Sequence, residues 1–300
     1  MFKKVKYFME YFKYLENPFS CLKFKFGFSD SCKVKVKNND NELELNSVFS
    51  LDKLMGLMRY VSNNKLDEFL EYVKNIDDDY EVVIIGGIKY YNVFNSKFRK
   101  KHQQNYESCS EEYFFDVGWE MVNCSGRNVI DIGGNVGDSA LFFAKNGAKV
   151  IGLEPVKHLY DLAIENINLN NDLKGNIEFV NKAAGIKRGK LDIIDSVGLY
   201  ADQDSTSYVV DVITIPDIIN NYNIKPDVLK MDCEGCEFDI IENEDLSMFK
   251  DIVFEHHSEM VGKDYNQLID ILKNQNFKIK TYRLHDLADF EVIGLIHAYK

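Results

Sequence analysis

The sequence predicts an α/β fold: a doubly wound, mainly parallel sheet of seven strands preceded by a small α+β extension. Three observations carry that expectation. From residue 128 onward, short β-branched runs alternate with helical stretches, a pattern that folds into a parallel sheet covered on both faces. A glycine loop separates the first run from the first helix, in VIDIGGNVGDS at 129–139. Acids close four of the runs: Asp131, Glu154, Asp232 and Glu255. Ligands in such sheets bind outside the carboxyl ends of the strands, and folding alone does not call for a carboxylate there.

The elements follow in order. Residues 1–16 carry Phe2, Val5, Phe8, Phe12 and Leu15 at helical spacing, with lysines among them, and Asn17-Pro18 ends the pattern. This helix is expected to dock on the domain body. A weak membrane-surface contact through its basic-aromatic face is the second reading. Residues 33–45 alternate on either side of an Asn/Asp cluster and read as a hairpin. Residues 51–74 read as helical. Residues 81–94 form a second hairpin turning on Gly86-Gly87, and an amphipathic stretch lies near Glu111–Val122. An N-terminal extension is therefore expected over 1–104 and the main domain over 105–300. Within the latter, strands are expected at Val129–Ile132, Val150–Leu153, Ile177–Val180, Val228–Met231, Ile252–Phe254, Phe277–Thr281 and Val292–His297. Helices are expected near 137–146, 156–170, 216–223, 237–246 and 264–275.

Composition narrows the function. The 300 residues are 45% hydrophobic and 28% charged, an ordinary globular mix. The net charge is −12, whereas a duplex nucleic-acid binder carries a basic face, so no nucleic-acid partner is expected. No apolar run approaches the ~20 residues of a spanning helix, and no apolar leader core follows the N-terminus. A soluble, cytoplasmic chain is the expectation. Of six cysteines only Cys233 and Cys236 form C-x-x-C. Without a second ligand pair, buried free thiols are expected rather than a redox or zinc centre.

The glycine loop reads D-x-G-x-x-x-G from Asp131 to Gly137. Glycines allow close backbone approach, and the helix start presents free N–H groups. A dinucleotide pyrophosphate calls for G-x-G-x-x-G, which is missing. Glu154 closes the second strand and can accept hydrogen bonds from both ribose hydroxyls of a nucleoside. Together these favour S-adenosylmethionine over NAD: Glu154 on the ribose, Gly133 to Gly137 along the methionine tail. A second cluster, LKMDCEGCE at 229–237, crowds Lys230, Asp232, Glu234 and Glu237 around one strand end.

At this point the chain resembles the FkbM family of S-adenosylmethionine-dependent methyltransferases. The matching motifs are the glycine loop, Glu154-Pro155, Ala183-Ala184, the K-x-D-x-E-G-x-E block from Lys230 to Glu237, Glu255-His256-His257, and ENINLNN at 165–171. The likeness covers roughly residues 105–275. Gly134 and Cys236 stand where the family usually has alanine. The resemblance implies a Rossmann-like methyltransferase sheet and O-methyl transfer to a hydroxyl of a sugar, glycan or natural product. With it, the expected cofactor-binding set is Asp131, Gly133, Asn135, Gly137, Glu154, Pro155 and Ala183. Asp232, Glu234 and His257 are the expected catalytic set, each a candidate general base. No metal site is claimed, although a divalent cation could orient the acceptor. The alternatives are an NAD-linked sugar-modifying enzyme and a catalytically silent cofactor-binding module.

Overall fold

The computed structural model describes residues 9–58, 61–102, 113, 119–195, 206–283 and 294–300. The chain divides into two compact units, Met1–Asp116 and Val117–Lys300.

In the first unit residues 9–14 are helical. Tyr11 and Leu15 are the buried side chains of this segment, while Phe12 stays 43% exposed. This corrects the expected apolar face, because Leu15 bridges Val36 and Phe12 meets the edge of Phe19 instead. Phe2, Val5 and Phe8 lie outside the described residues. Helix α1 (Pro18–Lys25) leads into the antiparallel pair β1 (Cys32–Lys35) and β2 (Glu42–Leu45). The stretch expected as one helix over 51–74 is two. Ser47 caps α2 (Val48–Leu57), and α3 (Leu66–Asp77) starts afresh after a 3-10 turn at Asn63–Lys65. Ser62-Asn63-Asn64 explains the break, since these side chains compete for backbone hydrogen bonds. Strands β3 (Val82–Ile85) and β4 (Ile88–Tyr91) pair across Gly86 and Gly87, both at positive φ, as a two-residue hairpin turn requires. Helix α4 (Ser96–His102) follows. Most of the amphipathic stretch near Glu111–Val122 lies outside the described residues.

The second unit holds the predicted sheet. Its strands are β5 (Asn128–Ile132), β6 (Lys149–Leu153), β7 (Ile177–Val180), β11 (Val228–Met231), β12 (Asp251–Glu255), β13 (Lys278–Arg283) and β14 (Gly294–Tyr299). They run in the order β13-β14-β12-β11-β5-β6-β7. Only the pairs made by β14 are antiparallel. The connecting helices are α5 (Asp138–Lys145), α6 (Lys157–Leu169), α7 (Ile215–Tyr222), α8 (Cys236–Asn243), a short α9 (Ser258–Val261) and α10 (Asn266–Asn274). The central strands β5, β6, β11 and β12 are buried on both faces, which is why they read as continuous apolar runs rather than alternation. Ile130, Met231 and Phe254 share one core with Phe238 and Ile241 of α8 and Leu268 and Leu272 of α10. Each such side chain contributes about 1.5–3 kcal/mol on burial.

A three-stranded sheet, ordered β8-β10-β9, was not legible in the sequence: β8 (Ala183–Ala184), β9 (Gly189–Asp195) and β10 (Thr206–Ile213). The chain leaves β5 outward to β6 and β7, then returns to β11 on the other side of β5. The sheet therefore changes direction between β5 and β11, and the crevice outside those two strand ends is where α/β folds bind ligands.

Candidate active site

The glycine loop after β5 packs against the segment leaving β11. Gly133 has φ +73°, and a Cβ there would fall 1.8 Å from the Asp232 carbonyl oxygen. Only glycine fits between the two strand ends. Gly133 and Gly134 donate backbone N–H to the Leu153 carbonyl at 3.0 and 2.9 Å. The ring of Phe179 explains why Gly134 is not alanine, since a Cβ would meet it at 2.7 Å. Asn135, with φ +45°, stays exposed at the tip of the loop. Gly137 precedes α5, and Asn166 of α6 donates its side-chain amide to the Val136 carbonyl at 2.9 Å. The asparagine-bearing helix end singled out in the sequence thus ties down the loop.

Asp131 is fully buried beneath this loop. Ser139 donates its hydroxyl to Asp131 Oδ2 at 2.6 Å. Lys230, its register partner across β5 and β11, brings Nζ to 3.1 Å from Oδ1 as an ion pair without hydrogen-bond alignment. The same ammonium donates to the Gly133 carbonyl at 2.6 Å and lies 5.0 Å from the Trp119 ring centroid. Burial works against the charge on Lys230, but Asp131, Asp232 and Asp138 outweigh it and hold its pKa above the ordinary lysine range. Asp131 and Lys230 form a rung that fixes both strand tips.

Glu154 is 5% exposed at the end of β6. Its Oε2 accepts the Asn135 N–H at 2.9 Å and its Oε1 accepts the Val156 N–H at 2.8 Å. Burial pushes its pKa up to about 7. A carboxylate offers about four lone-pair sites, so two remain for a diol. Pro155 is half-buried, and its carbonyl accepts from Asn181 at 2.9 Å and Tyr208 at 3.1 Å. Ala183 belongs to the small sheet, where it pairs with Val212.

The acids after β11 meet the histidine after β12. His257 Nε2 lies 3.8 Å from Asp232 and 3.5 Å from Glu234. On its other side, Nδ1 lies 2.9 Å from Glu237 Oε1, an oxygen that also accepts the His257 backbone N–H at 3.0 Å. Glu237 is fully buried, and its second oxygen accepts the Gly235 N–H at 3.0 Å. Burial opposes the charge of His257, yet Glu237, Glu234 and Glu255 overcome it and raise the pKa to about 9. The imidazole is therefore a cation near neutrality. Glu255, half-buried nearby, is pushed up to about 7 by burial and by Asp232. His256 is stacked on Tyr265 at 4.2 Å and its Nδ1 lies 3.2 Å from the Ser258 hydroxyl. Glu237 and Lys230 are the organising residues that sequence reasoning quoted but did not assign.

The expectation for the C-x-x-C pair is overturned. Cys233 and Cys236 are joined in a disulfide, not free thiols. Glu234 and Gly235 between them take φ +56° and +114°, which folds the chain back and brings the sulfurs together. Cys21, Cys32 and Cys124 are buried and free. With Glu237, the two sulfurs form the candidate metal-ligand group among the described residues, but bonded sulfurs are not thiolate ligands.

Three of the strand-tip acids thus gather at the switch point: Asp131 below the loop, Glu154 beside it and Asp232 across from it. The glycines let the loop pack on the Asp232 carbonyl, the Phe179 ring and Ala163, and beside it Glu154, a buried carboxylate with unspent lone pairs, fits a ligand that bears hydroxyls. Residues 131–279 match the family model described as the methyltransferase FkbM domain. Among solved structures, the methyltransferase FkbM of Methylobacillus flagellatus KT is 16% identical, with 84% of this chain and 59% of that chain covered at a TM-score of 0.45. This chain thus spans about three-fifths of that protein. The precorrin-6y C5,15-methyltransferase of Geobacter metallireducens GS-15 is 14% identical, over 59% of this chain and 81% of that one, at 0.37. TrmK of M. capricolum, solved with S-adenosyl-homocysteine, is 14% identical, over 59% and 64%, at 0.39. No curated relative matches.

Proposed function

We infer the activity from one premise: through residues 131–279 the chain belongs to the methyltransferase FkbM domain family. The proposed reaction is methyl transfer from S-adenosylmethionine to a hydroxyl oxygen of a sugar, glycan or natural-product acceptor. The observation that carries it is the juxtaposition, at one switch point, of the glycine cradle, Glu154 and the Asp232–Glu234–His257 cluster.

When bound, S-adenosylmethionine supplies a methyl carbon on a sulfonium, open to in-line displacement. Glu154 takes the ribose hydroxyls through its free lone pairs. Asn135 and the Gly133–Gly137 backbone line the tail, with Asp131 and Lys230 holding that loop from beneath. Pro155 and Ala183 bound the same side of the site. Asp232, whose side chain is 31% exposed, accepts the acceptor's hydroxyl proton. The Lys230 ammonium and the His257 cation lie 4.0 and 3.8 Å from the Asp232 carboxyl, so His257 positions Asp232 rather than abstracting a proton itself. Glu234 neutralises part of that cation and faces the acceptor. The acid-rich rim of Asp232, Glu234 and Glu255 repels anionic acceptors such as phosphates and suits a neutral polyol. We also propose a weak membrane-surface contact by the first unit. A divalent cation stays unassigned.

Calorimetry with S-adenosylmethionine and with NAD tests the cofactor. Binding of NAD alone would overturn the reading in favour of a sugar-modifying oxidoreductase. Methyl transfer to a panel of sugars and glycans tests the chemistry. Asp232→Asn is expected to lose at least ~100-fold in turnover, the range of a general base, while keeping cofactor affinity. Parental turnover in this variant would make Asp232 structural.

A further inference from the structure

The disulfide between Cys233 and Cys236 is poorly placed to act as a staple. It closes a four-residue ring within one turn, and a ring that small returns little entropy from the unfolded chain. It joins no two elements of the core. What it does enclose is Glu234 and Gly235, two successive residues in the left-handed region. A non-glycine residue such as Glu234 takes that conformation at a cost and needs its surroundings to impose it. The ring also sits between the groups proposed for chemistry. Asp232 precedes it, Glu234 is inside it, and Glu237 follows it while gripping both the Gly235 N–H and the His257 ring.

Both half-cystines are half-buried rather than sealed. Cys236 is the first residue of the eight-residue helix α8, where the helix dipole stabilises a departing thiolate. Acids crowd the approach: Asp232, Glu234 and Glu255 on the rim, with Glu237 countered by His257. A reductant with no charge beyond its attacking thiolate is repelled less there than one that carries further anionic groups.

We propose that Cys233–Cys236 is a thiol–disulfide exchange site for a dithiol reductant, and that the closed bond holds Glu234 and Asp232 in register with His257. A thiolate of the reductant attacks Cys233 Sγ, the bond to Cys236 breaks, and Cys236 leaves as a thiolate that takes up a proton. The reductant's second thiol then displaces Cys233, leaving two protein thiols and one oxidised reductant. Two unbonded sulfurs need van der Waals separation, so the turn must widen and the Glu234–His257 contact loosens. The exchange step stands on its own; the effect on turnover rests on the proposed methyl transfer.

The test treats the native full-length protein with dithiothreitol, alkylates it with iodoacetamide and locates the label by mass spectrometry. Cys233 and Cys236 are expected to label while buried Cys21, Cys32 and Cys124 do not. In the reduced protein, turnover is expected to fall at least ~10-fold, because small misplacements of reacting groups are costly, with cofactor affinity within about twofold. The His257 imidazole, followed by NMR titration, is expected to shift toward its ordinary range as Glu234 withdraws. Cys233→Ser/Cys236→Ser should reproduce the reduced state and ignore dithiothreitol. Labelling only after denaturation would make the bond a closed structural link and overturn the proposal. Labelling with an unchanged His257 titration would overturn the coupling. If neither state transfers methyl groups, the functional reading fails, while labelling and the His257 titration still decide the exchange site.

Discussion

At the scale of the residue, Glu154 makes the strongest demand. Its carboxyl is buried and held at about 7, above its ordinary value, so folding favours the neutral form. The sign follows from linkage. The free protein carries no penalty below pH 4.5, loses stability as pH rises from there, and carries the whole cost above pH 7. By the shift this amounts to about 3 kcal/mol. Ribose hydroxyls donate hydrogen bonds and so prefer the carboxylate. Cofactor affinity should therefore rise as pH climbs through 7, with a proton released on binding at pH 6.5. Calorimetry in two buffers of different ionisation enthalpy measures that proton. Glu154→Gln should abolish the pH dependence. Glu154→Ala leaves the ribose hydroxyls without their acceptor in the bound state, costing about 1–3 kcal/mol, roughly tenfold or more in affinity. Binding without proton release would remove Glu154 from the ribose.

At the scale of the element, the rung between β5 and β11 decides whether the site forms. Lys230→Met keeps length and removes the cation, leaving Asp131 buried against Ser139. Breaking a buried pair from one side costs about 3–5 kcal/mol, to be read from the denaturant midpoint. Adding Asp131→Asn should recover part of the loss, and full additivity of the two changes would show that the residues do not interact. The central parallel strands were legible because buried parallel strands leave dense β-branched runs, and Asp131, Glu154 and Asp232 were legible because each closes one. The roles of Lys230 and Glu237 were not. A lysine inside VLKM pairs with Asp131 only through strand register, and Glu237 meets His257 across 20 residues of chain. The β9–β10 pair escaped notice because β9 is largely exposed and mixes charges, such as Lys190 against Asp211, with apolar residues instead of forming a continuous apolar run. The disulfide escaped because spacing does not reveal the reversal at Glu234-Gly235.

At the scale of the whole molecule, charge is unevenly spread. The first 37 residues hold nine lysines against Glu10, Glu16 and Asp30, in a chain of net charge −12. The same segment is rich in aromatics, of which Phe12, Phe19, Phe26 and Phe28 are 43%, 70%, 58% and 80% exposed. No described helix is long and apolar enough to cross a membrane. Basic residues near anionic lipid contribute about 1 kcal/mol each, screened by salt, and exposed phenylalanines add apolar burial. We expect co-sedimentation with vesicles containing phosphatidylserine at low salt, lost at high salt and absent with phosphatidylcholine alone. Truncation at residue 16 would remove buried Tyr11 and Leu15 as well, confounding binding with unfolding. Phe19→Ser/Phe26→Ser/Phe28→Ser changes only exposed side chains. Its expected signature is loss of vesicle binding with an unchanged melting temperature. A parental protein that stays in the supernatant at low salt would reject the membrane role and leave the segment's work to Tyr11, Leu15 and Phe24, which pack inside the first unit.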